Sequence, residues 1–130
     1  MSQSDEVMKA AQDLVAFFGA NLVKQYFACF SPDADFIFYT HTERLTSRSA
    51  YEKLWKTWEL ENGFKVISCQ SSSQNVRILD SNNAVFTHNV TTQVSTNDGI
   101  DSLLERETII FSLIDGKWLA MHEHLSPQSI

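Results

Sequence analysis

The spacing of apolar residues changes about halfway along the chain, from the period of helices to the two-residue period of strands. The first half predicts three helices, over residues 4–18, 22–27 and 49–60. Ser4 is expected to cap the first helix and Asn21 the second. The third carries Tyr51 and Trp55 on one side, which is expected to face the interior.

The second half alternates apolar and polar residues, as strands with one buried face do. Together with a short aromatic strand in the first half, strands are predicted over residues 35–39, 64–79, 84–95, 103–114 and 117–126. Asp115-Gly116 separates the last two and is a strong hairpin signal, because glycine accepts the positive φ of a tight turn. The serines at 71–73 are expected to form a bulge or bend. Residues 40–47 are expected to be a loop that could hold one further short strand.

Helices followed by a meander of long strands are typical of the α+β class, in which helices cover one face of an antiparallel sheet. With 130 residues, 43% of them hydrophobic and 20% charged, the chain is expected to form one globular domain over residues 1–130. Whichever way its two strands are aligned, the closing hairpin (residues 103–126) carries apolar residues on both faces. The face turned away from the helices then needs a cover, and we predict a homodimer packed through the sheet.

The balance of charges excludes two classes of partner. The formal net charge is -6, and the ten lysines and arginines are scattered along the chain. No stripe of them could neutralise a phosphate backbone, so we expect no nucleic-acid partner. We expect no membrane partner either, because the surface is acidic and no apolar run reaches the ~20 residues of a membrane span. Without the basic and apolar regions of a signal peptide, the protein is predicted to be cytoplasmic, with Cys29 and Cys69 as free thiols.

The register of the closing hairpin decides which polar residues share a face, because a shift by one residue exchanges the two faces of a strand. With a two-residue turn at Asp115-Gly116, Glu107 pairs with His124. With a three-residue turn that ends in the same glycine, Glu107 pairs with Glu123. Attraction between glutamate and histidine favours the first register.

Polar residues of this hairpin and of the strand before it are the candidates for chemistry. Glu107 and Glu123, facing each other inside an apolar pocket, would form a coupled pair with at least one raised pKa, which suits general acid–base catalysis. At the open rim of the pocket, both would instead be hydrated and inert. His88 could act as a base in the same pocket. His122 and His124 lie on one face of a strand, but zinc needs a third ligand, so no metal or cofactor is predicted.

Several local motifs are shared with one superfamily. They are Pro32-Asp33-Ala34 before an aromatic strand, the helix with Tyr51 and Trp55, and Asp115-Gly116-Lys117-Trp118 followed by His122-x-His124-x-Ser126. On these motifs the chain resembles the nuclear transport factor 2-like superfamily, which includes SnoaL-like polyketide cyclases, ketosteroid isomerases and the calmodulin-dependent kinase association domain. The resemblance implies a cone-shaped, curved antiparallel sheet with three N-terminal helices on its concave face. It also implies a homodimer and the register that turns Met121, Glu123 and Leu125 inward.

Two functional patterns of that superfamily are absent here. Ketosteroid isomerases place an aspartate base where this chain has Phe38-Tyr39-Thr40, and a second acid near Thr108 or Ile109. The kinase association domain lines its pocket with arginines, and the matching positions look like Val90, Ile109 and Leu125. Isomerase chemistry therefore does not carry over directly, and an anion-binding pocket of the association-domain type is not expected.

Together these observations predict a small-molecule-binding protein or a SnoaL-like enzyme, with an apolar internal pocket for a small hydrophobic or aromatic ligand. Glu123, Glu107 and His88 are the candidate catalytic groups. The residues expected to contact the ligand are Tyr51, Trp55, Val90, Ile109, Phe111, Met121 and Leu125. The alternative is a non-catalytic dimerisation or assembly module of the association-domain type.

Overall fold

The computed structural model of the chain describes residues 2–128. In that part, three helices and five strands follow one another as α1 (Gln3–Gly19), α2 (Val23–Ala28), β1 (Phe30–Phe38), α3 (Arg48–Asn62), β2 (Lys65–Asp80), β3 (Asn83–Thr96), β4 (Gly99–Ile114) and β5 (Lys117–Pro127). The α+β class and the three helices predicted from the sequence are confirmed. Between β1 and α3, the predicted extra strand is reduced to a single bridge between Phe36 and Leu45.

The helix caps differ from those that the sequence predicted. Helix α1 begins at Gln3 with Ser2 as its cap in place of Ser4, because Ser2 and Asp5 form a capping box in which each side chain bonds the backbone of the other. Asn21 does not cap α2. It adopts a positive φ of 57°, and its side-chain oxygen accepts a hydrogen bond from the backbone of Val66 at 3.0 Å, which ties the helical layer to β2.

The five strands form one sheet in the order β1-β5-β4-β3-β2. Strands β2 to β5 pair antiparallel, as predicted. The edge strand β1 is the exception, because it runs parallel to β5. Alternation of apolar residues identifies a strand but does not give its direction, and no tight turn joins these two strands. The predicted bend in β2 is confirmed: its register shifts between Ser72 and Asn75, and Ser73 has a positive φ of 52°.

The closing hairpin adopts neither of the two registers considered from the sequence. Its turn has two residues, since Ile114 pairs with Lys117, but the pairing shifts by one beyond Ala120. Met121 is the extra residue of this bulge, and past it Ile109 pairs with Glu123 while Glu107 pairs with Leu125. Directly opposite residues point to the same face of a sheet. The bulge therefore places Glu123 on the same face as Glu107, although the two are not paired.

The hydrophobic core lies between the helices and the concave face of the sheet. Val7, Ala11 and Leu14 of α1 are buried at helical spacing, and Phe86 and Phe111 are fully buried on the sheet. Burial of one such large side chain contributes about 1.5–3 kcal/mol to the stability of the fold. In the described part of the chain, no helix is both long enough and apolar enough to cross a lipid bilayer.

The convex face of the sheet is more polar than the sequence predicted. One row across the strands holds Val85, Ile110 and His122, and the next holds Thr87, Thr108 and His124. The expectation that both faces of the hairpin are apolar is wrong for this second row, because the bulge at Met121 turns His122 and His124 outward.

Candidate functional site

An internal cavity of about 270 Å³ lies between the three helices and the concave face of the sheet. Its walls are mostly apolar, with a belt of aromatic rings formed by Phe18, Phe38, Trp55, Trp58 and Phe64. The polar groups inside it come from the strands, from Thr40 and Asn62, and from two tyrosines, Tyr26 of α2 and Tyr51 of α3. An apolar cavity with a few convergent polar groups is the usual form of a small-molecule site.

Glu107 and Glu123 form a carboxyl pair in this cavity. Their side chains are hydrogen-bonded to each other. Burial, together with repulsion from Glu107, raises the pKa of Glu123 well above its usual value, and burial raises the pKa of Glu107. Two carboxyl groups in such contact share a proton between them. The cavity therefore holds a carboxylic acid beside a carboxylate.

His88 connects this pair to the edge of the sheet through a chain of hydrogen bonds. Gln12 donates to the side-chain oxygen of Gln74, and the Gln74 amide nitrogen donates to Ser71 Oγ at 2.8 Å. Because Ser71 Oγ already accepts from Gln74, we assign the proton of its hydroxyl to the bond with Nδ1 of His88, which is 2.6 Å long. With Nδ1 as acceptor, the ring proton is on Nε2, which donates to Oε1 of Glu107 at 2.7 Å.

The imidazole of His88 is fully enclosed, with no exposed side-chain surface. Burial lowers the pKa of His88 to about 4, against an opposing effect of the Glu123 charge. The ring is therefore neutral at physiological pH and holds one fixed tautomer. It serves as a hydrogen-bond donor to Glu107 and does not supply a positive charge to the cavity.

Two tyrosine hydroxyls approach the carboxyl pair from the helical side. Tyr26 donates to Oε1 of Glu123 at 3.4 Å, and its hydroxyl lies 3.0 Å from that of Tyr51. Burial raises the pKa of both tyrosines well above the usual value, with further contributions from the charge of Glu123. Both hydroxyls therefore stay protonated and can donate hydrogen bonds to a bound molecule.

Glu105 is a third carboxyl group in the cavity. It is only 4% exposed, and Oε2 accepts a hydrogen bond of 2.6 Å from Tyr39, a half-exposed residue that follows β1. Burial raises the pKa of Glu105, and the Tyr39 bond opposes the rise. Glu105 and Glu107 are two residues apart on β4, so both point to the concave face.

The structure brings most of the expected site residues to the cavity. The candidate catalytic groups Glu123, Glu107 and His88 line it, as do Tyr51, Trp55, Val90 and Leu125. Ile109 and Phe111 do not line it: they are fully buried in the core of the sheet. Met121 does not line it either, because it is the extra residue of the β5 bulge.

Sequence reasoning missed Tyr26, Glu105 and Ser71. The two-residue spacing of Glu105 and Glu107 was a usable signal, because both must share a face of β4. Tyr26 lies in the helix predicted over residues 22–27, and helical spacing alone gives it no chemical role. Ser71 could not be found from its sequence, since its contact with His88 depends on the local bend of β2.

Two other groups of side chains with known chemistry lie outside the carboxyl network. His122 faces away from the cavity and bonds Asp35 through Nδ1 at 2.8 Å. Within residues 2–128, no three His, Cys, Asp or Glu side chains are arranged to hold a metal ion.

Cys29 and Cys69 are free thiols, and burial raises the pKa of each to about 11, which makes them weak nucleophiles.

The sequence and the fold match known proteins. A family model described as a SnoaL-like domain matches residues 7–129. No curated protein matches the sequence. Among solved structures, an NTF2-like protein from Cytophaga hutchinsonii is 16% identical with a TM-score of 0.82, and the match covers 98% of this chain and 100% of that one.

Two further solved structures carry names that refer to different roles. A ketosteroid isomerase-like protein from Erwinia carotovora is 11% identical with a TM-score of 0.82, covering 99% of this chain and 98% of that one. A CamKII hub homology domain from Chlamydomonas reinhardtii is 20% identical with a TM-score of 0.76, covering 99% of this chain and 100% of that one. At these identities the similarity shows a common fold.

Proposed function

Because the chain belongs to the SnoaL-like domain family, we propose that it is an acid–base enzyme acting on a small, mainly apolar molecule held in the internal cavity. One observation carries this proposal: two hydrogen-bonded glutamates, Glu107 and Glu123, line an aromatic cavity. Environments that separate the pKa values of two neighbouring acids create a base and an acid in one site.

The hydrogen bonds assign a role to each member of the pair. Glu107 accepts the Nε2–H of His88, which stabilises its ionised form. The pKa of Glu123 lies well above its usual value, so we assign the shared proton to Glu123. Glu107 is then the general base, Glu123 the general acid, and His88 the residue that orients the base.

The reaction class that suits these roles is transfer of a proton at a carbon next to a carbonyl group. Glu107 removes the proton, while Glu123 and the hydroxyl of Tyr26 or Tyr51 donate hydrogen bonds to the carbonyl oxygen as negative charge develops there. The aromatic walls exclude water, which strengthens these hydrogen bonds. The bound molecule has a compact apolar body, because the cavity of about 270 Å³ has mostly apolar walls.

We also propose that the protein is a homodimer that packs through the convex face of the sheet. The row formed by Val85, Ile110 and His122 is the part of that face best suited to it, because two of its three side chains are aliphatic. The assembly-module alternative shares this dimer. It differs from the enzyme proposal in requiring no ligand and no proton transfer.

The experiment that tests the enzyme proposal measures proton exchange without knowledge of the substrate. A panel of small aryl and cyclic ketones is incubated in D₂O with the protein, and deuterium uptake at the α-carbon is followed by NMR. At least one ketone is expected to exchange faster than in buffer, and E107Q is expected to slow that exchange about 10²–10⁴-fold. E61Q, which removes an exposed carboxylate that does not line the cavity, is the matched control. If no ketone exchanges and none raises the melting temperature of the protein, the result favours the assembly module over the enzyme.

A further inference from the structure

The charges that line the cavity all have one sign. Three of its side chains are carboxyl groups, Glu105, Glu107 and Glu123, and none of the ten lysines and arginines of the chain lines it. Among residues 2–128, the other ionisable groups that line it are His88, Cys69 and the two tyrosines, all uncharged at neutral pH. This part of the chain therefore places negative charge in the cavity without a cation to balance it.

Such a charge is costly to bury. Glu105 is 4% exposed, and its one side-chain partner is the neutral hydroxyl of Tyr39. Glu107 has a neutral imidazole and a neighbouring carboxyl group as partners. Buried carboxylates are normally paired with a cation, and here hydrogen bonds alone offset the lost hydration. A positively charged ligand would supply the missing partner.

The rings that surround these acids suit the same ligand. Trp55 lies 5.8 Å from Tyr26 and 6.2 Å from Trp58 between ring centroids, and all three line the cavity. An ammonium group within about 6 Å of an aromatic face gains about 0.5–2 kcal/mol, most when water is excluded. The faces of these rings therefore attract the cationic group of a ligand, and their apolar surface packs against the apolar body of the same ligand.

A second, independent observation also points to a ligand. Trp55 is only 2% exposed and lines the cavity, yet its indole Nε1 has no acceptor among the described residues. A buried donor without an acceptor destabilises the fold, so an amine that also carries an acceptor oxygen, such as an amino alcohol or amino ether, would gain a further hydrogen bond from this indole.

We infer that the cavity selects a small organic cation, an amine attached to an aromatic or alicyclic body, over neutral and anionic molecules of the same shape. This inference rests on the proposed use of the cavity as a ligand site and adds the charge of the ligand. A pocket lined by arginines would instead select an anion, so the charge preference distinguishes the two kinds of pocket.

The test compares probes that differ only in charge. For a phenylethyl, a naphthylmethyl and a cyclohexylethyl body, the amine, the alcohol and the corresponding carboxylate are titrated into the full-length protein by calorimetry at pH 7.5. The amine of at least one body is expected to bind about tenfold more tightly than its alcohol, with no measurable binding of the carboxylate. Amine binding is also expected to release protons, seen as a heat that changes between phosphate and Tris buffers, because a nearby cation favours ionised carboxyl groups.

Variants separate the contribution of the acids from that of the apolar walls. E105Q keeps an acceptor for Tyr39 and is expected to reduce the preference for the amine to about threefold or less. E61Q, with the same change in net charge, is expected to keep the wild-type preference.

The outcomes distinguish this inference from the proposed function. An alcohol or carboxylate that binds as tightly as its amine would overturn the inference while leaving the cavity as a ligand site. If none of the nine probes binds, both the inference and the ligand site are overturned.

Discussion

The Nε2 atom of His88 lies 2.7 Å from Oε1 of Glu107 in the wall of the cavity, and neither side chain has more than slight exposure. This contact fixes the direction in which the imidazole can donate. Because the opposite ring nitrogen accepts the hydroxyl of Ser71, the tautomer of His88 is set from both sides. Ser71 therefore acts through His88 as a positioning residue for the carboxyl pair.

We predict that His88 is no longer held in a single tautomer in the S71A variant. Wild-type His88 is expected to show only the Nε2–H form in long-range ¹H–¹⁵N NMR spectra, and S71A is expected to show a mixture of both tautomers. The lost hydrogen bond is expected to lower the free energy of unfolding by about 1 kcal/mol. S72A, which changes the next serine of β2, is the control and should leave the His88 signals unchanged. A single Nε2–H tautomer in S71A would contradict the assigned role.

A second prediction concerns stability against pH. The pKa of Glu123 is raised in the folded protein, so the native state holds a proton that the unfolded chain loses at its ordinary, lower pKa. The contribution of Glu123 to stability is thus present at low pH and declines as pH rises above the unfolded pKa of about 4.3. E123Q cannot ionise, so it should gain stability relative to wild type by up to about 1.4 kcal/mol per pH unit until the folded pKa is passed.

Denaturant unfolding at pH 5, 6, 7 and 8 measures this difference. His88 has a folded pKa lowered to about 4, so its own effect runs the other way, with stability rising between pH 4 and about 6.5. E123Q also removes the Glu123 charge that acts on His88, so the comparison rests on the interval from pH 7 to 8, above the ordinary pKa of histidine. A constant difference for E123Q would show that Glu123 is not buried with a raised pKa.

The hydroxyl of Tyr26 is expected to hold the pKa of Glu123 below the value that burial alone would give, because its hydrogen bond stabilises the carboxylate. Y26F should therefore move the titration midpoint of the Glu123 carboxyl carbon to higher pH in ¹³C NMR. It should also cost about 1 kcal/mol of stability. Y51F removes a hydroxyl from the same network without breaking a direct bond to Glu123, and a smaller shift is expected. An unchanged midpoint in Y26F would refute the interaction.

The proposed dimer depends on the aliphatic side chains of the convex face. I110D places a charge in the row that holds Val85, and burying it against a second copy would be unfavourable. We expect I110D to elute as a monomer in size-exclusion chromatography with light scattering, while its circular dichroism spectrum stays that of the wild type. S102D, on an exposed position of the same strand, should remain dimeric. A wild-type monomer at micromolar concentration would remove the proposal itself.

The sequence predicted the helices and strands well, because their apolar residues follow clear periods. Val7, Ala11 and Leu14 recur at helical spacing, and Phe86, His88 and Val90 alternate along β3; all are buried. Asp115-Gly116 predicted a tight turn, and its glycine has a positive φ of 79°, as such a turn requires. These features are local and therefore readable from the order of residues.

The details that decide the site were less accessible. A bulge adds one residue to a strand, and nothing in the residues around Met121 indicates it before the partner strand is known. The resemblance to the superfamily correctly implied that Glu123 points inward. The pairing of the hairpin strands that it implied does not occur. The parallel pairing of β1 with β5 is equally non-local, since 78 residues separate the two strands.

The bulge at Met121 has a consequence for how proteins of this shape could change their chemistry. If Met121 paired regularly instead of forming the bulge, His122 would lie opposite Ile109 and face inward, and Glu123 would move to the outer surface. A one-residue insertion between the turn and the bulge would have the same effect, because it shifts every later residue of β5 by one position. A single added codon would in this way exchange one of the three cavity carboxyl groups for an imidazole, while Glu105 and Glu107 stay in place.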